Sequence, residues 1–152
     1  MFFEVNVPDN ISILAFSLVF TWTRNTKIFW NPEALRRIGN LRSAFGLDAV
    51  KIQVLTNATL FQRPRVQEGL GVLDALGGEV VAKLDAGTET YFQLVDGTNL
   101  PFQRVLDNLL NAARVRPIVL QCMFLSWEGT GPSDAEVDAW AGRLRHLLDS
   151  GG

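Results

Sequence analysis

The chain has 152 residues, 47% of them hydrophobic and 20% charged, which is enough apolar content for the core of one ordinary globular domain. Its 14 basic and 16 acidic residues leave a net charge of -2, so it carries no electrostatic footprint for nucleic acid or for an anionic membrane surface. Cys122 is the only cysteine, which excludes intramolecular disulfides, zinc ribbons and four-cysteine clusters built from this chain, and a reducing cytoplasm is the expected setting.

The most apolar segment, residues 11–20, is about half the roughly 20 residues that a membrane helix needs. Glu4 and Asp9 precede it where a signal peptide would be basic. The segment reads as a buried strand. Asn31, Pro32 and Glu33 then form a good helix start, and the helix they open is expected to turn Leu35, Ile38 and Phe45 inward.

Residues 50–56 are rich in β-branched side chains and predict a strand. Asn57 leads from it to Arg63 and Pro64, where a proline can open a helix presenting Val66, Leu70 and Leu73 on one face. Gly77 and Gly78 close that helix. Residues 79–84 are the next strand, and the turn 85–88 passes into a short helix through Tyr91 and Leu94. After a loop around Gly97, residues 101–114 carry Phe102, Val105, Leu106, Leu109 and Ala113 at helical spacing. Residues 117–124 form another apolar strand. The last helix has the clearest start, because Ser133 and Glu136 make a Ser-x-x-Glu capping box ahead of Val137, Trp140, Ala141, Leu144 and Leu148.

This layout amounts to four strand-helix units in a single α/β domain. Strands separated by helices imply parallel pairing through right-handed crossovers, as in an open doubly wound sheet or part of a barrel. Either architecture gathers ligand groups just beyond the carboxyl ends of the strands, here Thr56 and Asn57, residues 83–87 and residues 121–127. The two glycines that follow the last helix resemble the turn into a further strand, so a downstream strand is expected to be missing from this chain.

Lys83 and Asp85 stand two apart at a strand end, so their side chains share a face. They read either as a ligand site, with Asp85 accepting from hydroxyls and Lys83 holding a carboxylate or phosphate, or as a helix cap with a paired lysine. Asn57 could offer its amide to a ligand, although a turn role is the commoner one. Gln121, inside an apolar strand, either lines the ligand face or bonds a neighbouring backbone. Cys122 alternates with it and reads as a buried, inert thiol. His146, in the middle of the last helix, reads as a surface residue. Gly69 and Gly71 fall within a helix without a third glycine and make no dinucleotide fingerprint.

At these strand ends the chain resembles the radical S-adenosylmethionine proteins. The resemblance rests on Val-Leu-Thr-Asn-Ala-Thr at 54–59, Arg-Pro-Arg-Val at 63–66, Lys-Leu-Asp-Ala-Gly-Thr-Glu at 83–89, Val-Leu-Gln-Cys-Met-Phe at 119–124 and Gly-Pro-Ser-Asp-Ala-Glu-Val-Asp-Ala-Trp at 131–140. It implies a partial (β/α)6 TIM-like barrel. In that family a Cys-x-x-x-Cys-x-x-Cys loop holds a 4Fe-4S cluster, and a Gly-Gly-Glu-type turn grips the methionine end of S-adenosylmethionine. Neither motif is present here, and residues 18–24 stand where the second would be. What carries over is Asn57 at the third strand, Lys83 and Asp85 at the fourth and Gln121 at the fifth, all facing the cofactor and substrate cavity.

The resulting expectation is an incomplete or degenerate radical S-adenosylmethionine barrel over residues 1–152. It would be inactive as this chain, binding neither S-adenosylmethionine nor a cluster well, with no catalytic or metal-ligating residue of its own. The alternative is a complete non-catalytic α/β module that binds a small molecule or a protein. Sheet edges left bare would promote self-association.

Overall fold

The computed structural model describes residues 31–126 and 129–151. Among them, each strand is followed by a helix, and β2 by two: α1 (Pro32–Ala44), β1 (Gln53–Thr56), α2 (Pro64–Ala75), β2 (Glu79–Lys83), α3 (Glu89–Asp96), α4 (Phe102–Ala113), β3 (Ile118–Gln121) and α5 (Asp134–Asp149). The three strands form an open parallel sheet in the order β1-β2-β3, as expected of strands joined through helices. The strand expected at 11–20 and the divergent stretch at 18–24 lie outside the described residues.

The helix starts follow the local chemistry of the sequence. Asn31 caps α1 by accepting from the Glu33 N–H at 3.2 Å, and Pro32 occupies the first turn. Pro64 opens α2 without a side-chain cap. Gly77, with φ of 64°, turns the chain from α2 back into β2 through a backbone conformation that suits glycine.

The two faces of the sheet differ. Val80, Ala82 and the following Leu84 are buried and share one core with Val66, Leu70 and Leu73 of α2 and with Phe102, Val105, Leu106 and Leu109 of α4. Leu70, Leu73 and Leu109 are fully enclosed, each contributing about 2 kcal/mol on burial. On the opposite face Val81 pairs in register with Val119, and Lys83 with Gln121. Val119 is 42% exposed, and Gln121 is exposed as well.

Two apolar residues expected to point inward, Phe45 and Leu148, do not, and Leu94 of α3 is outward as well. Phe45, Leu94 and Leu148 are 73%, 63% and 71% exposed. Phe45 is the C-cap of α1, where the chain has left helical geometry and with it the apolar stripe. Leu94 lies two residues, about 200° of helix, from the buried Phe92. In the last turn of α5 it is Leu147 that packs inward, one position and about 100° away from Leu148. The third strand is also shorter than expected, so Cys122, Met123 and Phe124 belong to the loop after it. No helix among the described residues is long and apolar enough to cross a membrane.

Candidate functional site

The carboxyl ends of β2 and β3 bring Lys83, Asp85 and Gln121 together. Asp85 is 3% exposed although it is a carboxylate, so its charge needs compensation. Lys83 Nζ lies 2.6 Å from Asp85 Oδ2, but off the line a hydrogen bond requires, which makes the contact an ion pair by proximity. The other oxygen, Oδ1, accepts the Met123 N–H at 2.9 Å and ties the end of β2 to the loop after β3. The helix-cap role considered for Asp85 belongs instead to Thr88, whose hydroxyl accepts from the Tyr91 N–H at 3.3 Å. Of the two parts of that structural reading, the ion pair is present and the cap is not.

The buried charge of Asp85 reaches its neighbours. Burial pushes the Asp96 carboxyl above its ordinary value, and Asp85 adds to the rise while Lys83 opposes it. Burial also pushes the Cys122 thiol up to about 11, again with Asp85 adding and Lys83 opposing. A thiol so shifted is protonated at neutral pH and is a poor nucleophile there. Among the described residues no three His, Cys, Asp or Glu side chains could jointly hold a metal ion. The residues of this chain therefore do not fit a 4Fe-4S cluster, whose irons take thiolates.

Asn57 and Gln121 occupy different settings. Asn57 Oδ1 accepts from the Thr59 N–H at 3.3 Å and from the Thr59 hydroxyl at 2.9 Å, so its acceptor is used in the turn it forms. The next residue, Ala58, is fully buried with φ of 57°, a left-handed conformation that costs an alanine about 1 kcal/mol. Its carbonyl is held by Asn108 Nδ2 at 2.7 Å, and that amide also donates to Gln62 Oε1 at 3.0 Å. Asn108 went unread in the sequence, although a polar residue inside the apolar stripe of α4 is a signal for a buried hydrogen bond. Gln121 is not the buried amide expected of an apolar strand. Its side chain is exposed beside Lys83, because the described helices pack against the other face of the sheet. His146 is exposed, as its helix position implies.

The segment 84–88 is gripped from α5. The Glu136 carboxylate, 5% exposed, accepts the N–H groups of Gly87 and Thr88 and the Thr88 hydroxyl, the last at 2.6 Å. Trp140 Nε1 donates to the Leu84 carbonyl at 2.8 Å, and Arg143 Nε to the Gly87 carbonyl at 3.0 Å. Positions 136, 140 and 143 share one face of the helix, as their spacing requires. Gly87 permits this approach. A Cβ there would run into the backbone of Trp140, with Ala139 C at 2.7 Å and Glu136 O at 2.8 Å.

The capping box is thereby only half formed. Ser133 Oγ accepts the Glu136 N–H at 3.2 Å, while the reciprocal carboxylate arm is diverted to residues 87 and 88. The sequence signal for Glu136 was local, whereas its partners lie 48 and 49 residues away. The Trp140 ring meets Phe124 edge-on at 5.3 Å, and the Tyr91 hydroxyl reaches the Leu125 carbonyl at 3.5 Å, so the loop after β3 is tied to α5 and α3. No family model, curated protein or solved structure matches the chain.

Proposed function

We propose that this chain is a fragment or degenerate copy of a radical S-adenosylmethionine barrel, without radical chemistry of its own and with a small-molecule site at its strand ends. The observation that carries the reading is the sequential parallel order β1-β2-β3, with the buried face of β2 in the helix core and Lys83 beside Gln121 on the other face. A barrel wall is built this way, its inner face bearing the ligand groups. A doubly wound sheet instead reverses its strand order at the ligand crevice. The sequence resemblance over residues 50–150 supports the same assignment, and the expected lack of catalysis follows from Cys122 being the only cysteine, too few to ligate a cluster. A reducing cytoplasm suits that thiol.

A second reading, a non-catalytic α/β binding module, is favoured by one observation. Asn57 and Asp85 spend acceptors on internal hydrogen bonds rather than leaving them open.

Two measurements test these readings. The coding region's flanking nucleotides should encode a Cys-x-x-x-Cys-x-x-Cys run in a forward frame. The purified chain, treated anaerobically with iron, sulfide, dithionite and S-adenosylmethionine, should hold no cluster and release no 5′-deoxyadenosine. Flanks that lack the cysteine run exclude a fragment of an intact radical enzyme and leave a degenerate copy or the binding module, and turnover by the isolated chain would refute the catalytic silence common to both.

A further inference from the structure

Asp85 is the residue on which the strand-end pair depends, and the backbone on both sides of it is held by one helix. Trp140 fixes the carbonyl of Leu84, immediately before Asp85. Glu136 takes the N–H groups of Gly87 and Thr88, two and three residues after it, and Arg143 takes the Gly87 carbonyl. The carboxylate so placed meets the Lys83 ammonium on one side and the Met123 N–H on the other.

Among the three gripping side chains, Glu136 stands apart. It is buried and charged, and it accepts from three donors of the segment, while Trp140 and Arg143 each give one hydrogen bond. Ionised acceptors make the stronger bonds. The cost of burying this carboxylate is met by the donors of residues 87 and 88, while the Ser133 hydroxyl separately caps the Glu136 backbone N–H. A helix start alone would have been served by the ordinary capping box, in which the glutamate folds back on the cap residue in solvent.

We propose that Glu136 is the positioning residue of the strand-end site. It acts through the 84–88 backbone to hold the Asp85 carboxylate against Lys83. The site it sets is the one assigned to a ligand above, but the inference concerns the free protein, so its test uses no ligand and stands or falls separately from the barrel reading.

The test is competitive acetylation of the native full-length chain with limiting acetic anhydride. The rate of Lys83 is read against Lys51 by peptide mass spectrometry, well below the melting temperature of every variant. Lys51 is a suitable reference, because it pairs at 3.0 Å with Glu79, which begins β2 at the opposite end from Lys83. Asp85→Asn sets the scale and should raise the Lys83 to Lys51 ratio about fivefold, the order expected for loss of a charge-assisted contact. Glu136→Gln should raise the ratio by a comparable factor, with Asp85 intact. Glu136→Asp, which keeps a carboxylate, should restore part of the difference, and Trp140→Phe should give a smaller rise.

A structural tie with no positioning role would lower the melting temperature of Glu136→Gln and leave the ratio at the wild-type value, which would overturn the proposal. An unchanged ratio in Asp85→Asn would overturn it too, since the pair would then not govern the amine. Should Glu136→Gln fail to fold, Thr88→Val replaces it, removing one of the three donors. A rise of about twofold sustains the proposal on the same scale, and no rise ends it.

Discussion

Half-buried Cys122 lies close enough to Asp85 to feel its charge, and its thiol rises from 9.0 to about 11 through burial first and that carboxylate second. Two units lower the thiolate fraction about a hundredfold at mildly alkaline pH. Iodoacetamide should therefore alkylate Cys122 slower than a free cysteine by about that factor, accelerating until pH reaches about 11. A rate equal to that of an unfolded peptide would refute the assignment. The sign for stability follows from proton counting. Between 9.0 and about 11 the unfolded chain loses a proton that the folded chain keeps, so stability falls as pH rises through that window. Equilibrium denaturation across it, with Cys122→Ala as control, measures the effect. At this scale the sequence foresaw a turn at Asn57 and a surface His146, whereas Cys122, expected to be buried in a strand, is half-buried in the loop after β3. The sequence could not foresee which alternative held for Asp85, because its carboxylate is defined by Met123, 38 residues away.

Helix α5 and the segment it grips show what an element adds. The cap at Ser133 and the apolar stripe made α5 legible, yet the stripe does not reveal that its Glu136, Trp140 and Arg143 face reads backbone rather than burying methyl groups. Two glycines separate packing from propensity. Gly87→Ala would drive a Cβ into the α5 backbone and should destabilise the chain by about 2–4 kcal/mol. Gly71→Ala in α2 meets open space at an ordinary helical position and should stabilise by about 0.5–1 kcal/mol. Urea denaturation of the two variants measures both, and a harmless Gly87→Ala would mean that the helix is not seated where described. The outward Phe45, Leu94 and Leu148 have the same origin. Hydropathy marks a residue as apolar, but helix phase and helix ends decide whether a neighbour covers it.

For the molecule as a whole, the unequal faces of the sheet matter most. Val119 on β3, at the edge of the sheet among the described residues, is 42% exposed, and Met123, Phe124 and Leu125 just after it are 47%, 43% and 38% exposed. An apolar strip beside a parallel sheet edge favours association. Sedimentation velocity should show concentration-dependent self-association of the chain, reduced by Val119→Lys combined with Phe124→Ser. A monomer at every concentration would remove this strip as a contact surface. The same asymmetry explains Gln121, whose strand is apolar in composition but is covered on one side only by the described helices.

The sequence by itself determined the alternation of strand and helix, the helix starts at Asn31, Pro64 and Ser133, and the inward residues of α2 and α4, because caps, prolines and periodicity act within a few residues of chain. Only the tertiary structure decided that the strands stand in sequential order, that Asn108 holds a left-handed Ala58, and that Glu136 leaves its own cap to bind Gly87 and Thr88. The last two outcomes depend on groups about 50 residues apart in sequence. A buried polar atom takes whichever partner the packing brings to it, and no local pattern encodes that choice.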